Sequence, residues 1–169
     1  MRRVVGVLAC LALAACSGGS SPGSTDEALV VVSAPLTAQP WIGTFLERGA
    51  QLAAQEVAGE KGTTVRVEVL DNGGSAQTAA ANARKAVAEG AVALITDGVG
   101  AEAIAAVTDP AKLPVFVAFE GGASFIDAKR HPTLFRLAPA NDAMCRRLAD
   151  YLADTEQGKA FALLSDDSA

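Results

Sequence analysis

Gly98, Gly100 and Ala103 stand in a G-x-G-x-x-A arrangement directly after the apolar run ending at Thr96, and Glu120 follows twenty residues beyond Gly100. A strand, a glycine turn, a helix start and an acid after the next strand are the parts that hold a dinucleotide. The glycines let backbone approach a pyrophosphate, the helix N-terminus favours its charge, and the acid bonds a ribose hydroxyl. Two features oppose NAD chemistry here. Asp97 sets a negative charge beside the expected pyrophosphate, and the turn follows the third strand-like run rather than the first. The same parts suit a smaller anion, because unpaired amides at a helix beginning near Ala101 attract a carboxylate. Asp97 and Glu120 are then the acceptors on hand for an ammonium group.

Other reactive types are sparse. The chain carries no G-x-S-x-G and no H-E-x-x-H, and its single histidine, His131, falls in a polar loop with no evident partner. Cys145 is the one thiol beyond the N-terminal region and reads as a small core residue on an apolar helical face. The sequence therefore points to no enzyme, no metal and no bound cofactor.

The N-terminus places the chain in a compartment. MRRVVGVLACLALAAC has a basic start, an apolar centre and a small-residue boundary, the pattern of an export signal. Its apolar run is shorter than the roughly 20 residues that cross a bilayer as a helix. The end of the run, Leu13-Ala14-Ala15-Cys16, resembles the bacterial lipobox, which implies cleavage after residue 15 and acylation of Cys16. Residues 16–27 then form the lipidated cysteine and a Gly/Ser-rich tether, and the protein is exported and anchored to the outer face of the cell membrane. Losing Arg2 and Arg3 leaves 12 basic against 19 acidic residues, a net charge of −7. No basic stripe for nucleic acid is present. A nicotinamide enzyme in that compartment would also lack a cofactor pool.

The elements that must position these residues alternate regularly. ALVVVSA (28–34) is a buried strand, and the Thr44-Phe45-Leu46-Glu47 box predicts a helix running towards Gly59. TTVRVEVLD (63–71) alternates apolar with charged residues, which suits a strand exposed on one face or near an edge. A helix over 76–89, the strand AVALIT, a helix over 101–109 stopped near Pro110, and the strand LPVFVAF follow. TLFRLAPA supplies a short strand and connection, Asn141 caps a helix over 142–155, and KAFALLSDDSA reads as a further strand just begun. The fold class is α/β: a parallel sheet with helices on both faces.

The order of these motifs resembles the type I periplasmic solute-binding proteins of ABC transporters, in the branched-chain amino-acid-binding branch. VVVSAPLTAQPWIGTFLERGAQLAAQEV is similar to that family's opening, with Arg48-Gly49-Ala50 in its first helix, and VEVLDNGGSAQTAAANARKAVAEGAVALIT to its next strand, acidic turn, helix and strand. The resemblance implies a Rossmann-like first lobe over 28–138, a crossing near Ala138–Asn141, and over 139–169 the start of a second lobe whose remainder is missing. It implies a small polar organic solute, such as an amino acid or amide, as ligand and an ABC permease as partner. An extracytoplasmic sensor domain of the same fold is the alternative.

On that resemblance the ligand lies at the carboxyl edge of the sheet, where the loops Pro35–Gly43, Asp97–Gly100 and Glu120–Ser124 converge. Trp41, in the first loop, occupies the place of the family's ligand-packing aromatic. Asp97, Gly98, Val99, Gly100, Glu120, Gly121, Gly122 and Ser124 make the rest of the rim. The family's hydroxyl residues are replaced here by glycines, and Ser124 is the nearest hydroxyl.

Overall fold

The computed structural model describes residues 27–61, 63–122, 126–156, 159–160 and 162. The export signal, Cys16, the tether up to residue 26, Ser124 and most of the strand expected over 159–169 lie outside the described residues.

Five strands form one parallel sheet in the order β2-β1-β3-β4-β5. They are β1 (Ala28–Ala34), β2 (Val65–Asp71), β3 (Ala93–Thr96), β4 (Val115–Val117) and β5 (Leu134–Arg136). Helices α1 (Pro40–Lys61), α2 (Ala76–Ala88) and α3 (Ala101–Ala111) link the first four strands, and α4 (Asn141–Thr155) follows β5. β1 is apolar at every position but Ser33 because both faces are covered. Val31 joins Ala83, Leu94, Ile104 and Val115 beneath α2 and α3, whereas Val32 meets Ile42 and Leu46 of α1 on the opposite face. α2 buries only alanines, at 79, 80, 83 and 86, so its axis lies close to the sheet and to α3. Among the described residues β2 has a neighbour on one side only, which accounts for Arg66 and Glu68 among its valines.

Several helix starts or stops differ from the sequence reading, among them the end of α1, which runs past Gly59 to Lys61. α1 begins at Pro40, four residues before the expected box, because proline presets the helical φ and lacks the amide a first turn leaves unpaired. Thr44 and Glu47 are thus interior, and the Glu47 carboxylate accepts from Gln51 Nε2 (3.2 Å) rather than reaching back to a cap. α3 carries Pro110 in its last turn, where one ladder bond at most is lost, and closes at Lys112 in a left-handed conformation. Asn141 is the first residue of α4, and Ala140 takes the cap position without a side-chain bond.

α1 covers the β1–β2 side of its face. On the same face Phe116 and Phe135 stack at 5.6 Å, with Phe135 half exposed. α4 buries none of its residues, so Cys145 is exposed rather than in a core as its pattern suggested.

Candidate solute-binding edge

The turn between β3 and α3 is built by two glycines with positive φ, 124° at Gly98 and 69° at Gly100. Each is also a close approach. A Cβ on Gly98 would collide with Glu120 Cβ and stand 3.1 Å from Val117 Cγ1, and one on Gly100 would lie 2.7 Å from Ala76 Cα. Glycine here lets the turn rest against the end of β4 and the start of α2.

That packing leaves the first turn of α3 open. Gly100 takes its cap position and offers no side-chain bond. Ala101 N is used by Gly98 O (3.1 Å), while the amides of Glu102 and Ala103 find no partner among the described residues. They border a cavity of about 550 Å³ lined by Ala76, Gly98, Gly100, Glu120 and residues 101–103. Ala76 opens α2, whose Ser75 cap accepts from Thr78 N (3.4 Å), so two helix N-termini border one space. Both dipoles favour negative charge there.

The carboxylates of the edge have separate duties. Asp97 is only 6% exposed, and its Oδ1 accepts from Asn72 Nδ2 (2.8 Å) and Thr96 Oγ1 (3.3 Å). Asn72 is fully buried, and its Oδ1 in turn accepts from Gly74 N (2.9 Å). Asp97 therefore ties the β3–α3 turn to the β2–α2 turn. Asp71 accepts from Thr37 Oγ1 (2.7 Å) and Gly73 N (2.9 Å), and these bonds, Thr37's first, hold its carboxyl below the ordinary range. They also fix the Pro35–Gln39 loop. Glu120 is exposed on the cavity rim, with Oε1 accepting from Gly122 N (2.5 Å).

Of the sequence-derived site residues, Gly98, Gly100 and Glu120 meet at this cavity. Val99 lies half-buried in the same turn, Gly121 is buried against Asn141, and Gly122 is half-buried beside it. Trp41 lies in the first turn of α1 rather than in a loop, 67% exposed, and meets Phe119 edge-to-face at 5.8 Å. It lines a separate, larger hollow of about 680 Å³ along α1 with Phe45, Arg48 and Leu52. That hollow is mostly apolar, and the polar groups suited to a small charged molecule are at α3.

Sequence reasoning missed Asn72, whose partner lies 25 residues away, and Arg136, discussed below. It also left His131 without a partner. His131 Nδ1 lies 3.1 Å from Asp109 Oδ2, and Asp109 Oδ1 accepts from Thr133 Oγ1 (2.5 Å) and Thr133 N (3.2 Å). The cluster joins the end of α3 to the segment entering β5, at the sheet edge opposite the cavity. Burial alone would raise the Asp109 carboxyl, but the bonds from Thr133 and His131 outweigh it and hold it below its ordinary value.

The model of one protein family, described as periplasmic binding protein, matches residues 33–169. No significant match is found among curated protein sequences. Among solved structures, an ABC transporter substrate-binding protein from Desulfitobacterium hafniense is 25% identical with a TM-score of 0.65, over 78% of this chain and 39% of that one. A branched-chain amino acid transporter substrate-binding protein from Streptococcus pneumoniae, in complex with isoleucine, is 17% identical with a TM-score of 0.66, covering 76% and 38%. A solute-binding protein of an ABC transporter from Rhodopseudomonas palustris, in complex with 3,4-dihydroxybenzoic acid, is 21% identical with a TM-score of 0.66, covering 76% and 36%. This chain thus spans well under half the length of each.

Proposed function

Since the chain belongs to the periplasmic binding protein family, we propose that its carboxyl sheet edge forms one wall of a site that captures a small organic solute for an ABC permease. The observation that carries this reading is the uncapped first turn of α3, open to a cavity rimmed by Glu120. The free amides of Glu102 and Ala103 suit a carboxylate, since they satisfy it without a counter-charge and add the helix dipole. Glu120 suits an ammonium group on the same molecule. Asp97, bonded to Asn72, holds the frame of the site. The solute class is then a small carboxylate or zwitterion, such as an amino acid, with related amides as weaker ligands because they lack the charge. The chain binds and releases; it has no catalytic role in this reading.

The N-terminal residues support the compartment: export, cleavage after residue 15, and anchorage to the outer face of the cell membrane through acylated Cys16.

A thermal-shift screen of the full-length protein against amino acids, simple carboxylates and amides tests the function. A ligand at 100 times its Kd stabilises by about 2.7 kcal/mol. A clear rise in Tm with one or a few carboxylate solutes is expected; a flat response to carboxylates beside a rise with neutral solutes alone would remove the α3 amides from the site.

A further inference from the structure

We propose that Arg136 is a positioning residue that holds the solute-site loop and the start of α4 in one clamp, a role that rests on the solute-binding reading above. The loop Glu120–Gly122 leaves β4 and carries Glu120 over Gly98. Arg136, the last residue of β5, donates from one guanidinium nitrogen, Nη1, to Gly122 O (2.9 Å) and Gly121 O (3.3 Å). The Gly121 carbonyl also accepts from Asn141 N (2.9 Å), the first amide of α4. One carbonyl therefore receives a donor from the sheet and a donor from the chain that leaves the sheet.

Two further features show that the clamp is built to be tight. Gly121 is buried, and a Cβ there would collide with Asn141 Oδ1 and stand 3.0 Å from Pro139 O, so the crossing Leu137–Ala140 lies directly on it. Gly122 N is bonded to Glu120 Oε1 (2.5 Å), which joins the far side of the loop to the acid on the cavity rim. Bonds with a charged donor are about twice as strong as neutral ones, and a guanidinium is such a donor. The guanidinium thus fixes both carbonyls, the carbonyl of Gly121 fixes α4, and Glu120 keeps its place over the α3 turn. A solute that rests on Glu120 must then bias the orientation of α4, and α4 must bias the affinity for solute, because coupling between two sites is reciprocal.

Amide hydrogen exchange on the full-length, ligand-free protein tests the clamp without requiring the solute. In Arg136→Gln, exchange at Gly122 and at Asn141 should accelerate together, on the order of tenfold. Arg136→Lys, which keeps one charged donor, should restore part of the protection at both. Acceleration at Gly122 alone, or at neither amide, would overturn the shared clamp. A Tm double-mutant cycle guards against a misfolded Arg136 variant. Gly121→Ala should lower Tm markedly in the wild type and less in an Asn141→Ala background, where the colliding carboxamide is gone; equal losses would contradict the proposal. Failure of the solute reading shows itself separately, as a wild-type protein that no solute stabilises while both amides still respond to Arg136→Gln.

Discussion

At the residue scale, acids adjacent in function to the same edge divide between frame and rim. Asp97 and Asp71 spend their oxygens on Asn72, Thr37 and the Gly73 amide, and Glu120 stays at the surface. Asp109 makes the corresponding frame contact at the other edge. Its folded-state pKa lies below the ordinary 3.8, so its stabilising contribution is present above that value and is lost as pH falls through the lower folded one. Asp109→Asn should cost about 1–3 kcal/mol in urea unfolding at pH 7. It should also flatten the loss of stability below pH 3.8; an unchanged acid limb would show that the carboxylate carries no charge-dependent stability. Trp41 makes a different kind of claim. If its ring packs on solute, Trp41→Ala should weaken the ligand-induced Tm rise; an equal rise in the variant would assign the ring to the α1 hollow alone.

At the element scale, much of the architecture was legible from periodicity. β1 was found to the residue, because a strand buried on both faces leaves a continuous apolar run with polar flanks, and β2 betrayed its edge position through Arg66 and Glu68. The helix ends were less legible. Thr44 and Glu47 fit a capping box by type, yet Pro40 starts the helix upstream, which carried Trp41 from a loop into a first turn. The glycine turn was the most informative single signal, since Gly98 and Gly100 take positive φ at points where other segments press against them. What the sequence could not show was contact across crossovers: Asn72 with Asp97, His131 with Asp109, Arg136 with Gly121. Those pairs exist only once parallel strands bring distant turns to one edge. Gly100→Ala tests the turn itself. Positive φ strain of about 1–3 kcal/mol adds to the collision with Ala76, so unfolding stability should fall by at least that amount. A neutral substitution would mean that the α2 and α3 N-termini are not held together by this contact.

At the scale of the whole molecule, one five-stranded sheet carries helices on both faces, and its carboxyl edge gathers the turns after β1, β2, β3 and β4, with the N-termini of α2 and α3 bordering one cavity. Several apolar groups remain at its surface, among them Trp41, Phe45, Leu52 and Phe135, and Met144, Leu148 and Tyr151 on α4. In the proposed function the cavity between the α2 and α3 N-termini is one wall of the solute site. Placement outside the cytoplasm rests on the N-terminal residues and on the family. Cys16→Ser should abolish acylation and globomycin-sensitive processing; processing unaffected by the substitution would contradict the anchor.

In the proposed site a solute's carboxylate sits on the open first turn of α3. Isothermal titration of the full-length protein with the best carboxylate solute from the screen, in wild type and in Ala103→Glu, tests it most directly. A glutamate at the third helical position reaches back towards the Gly100 amide and sets a fixed negative charge on the same open turn, where it repels a solute carboxylate but favours the helix dipole, so the fold should be no less stable. Binding in the variant should be at least tenfold weaker, about 1.4 kcal/mol, with Tm in the absence of solute unchanged or raised. Equal affinity in the two proteins would contradict it.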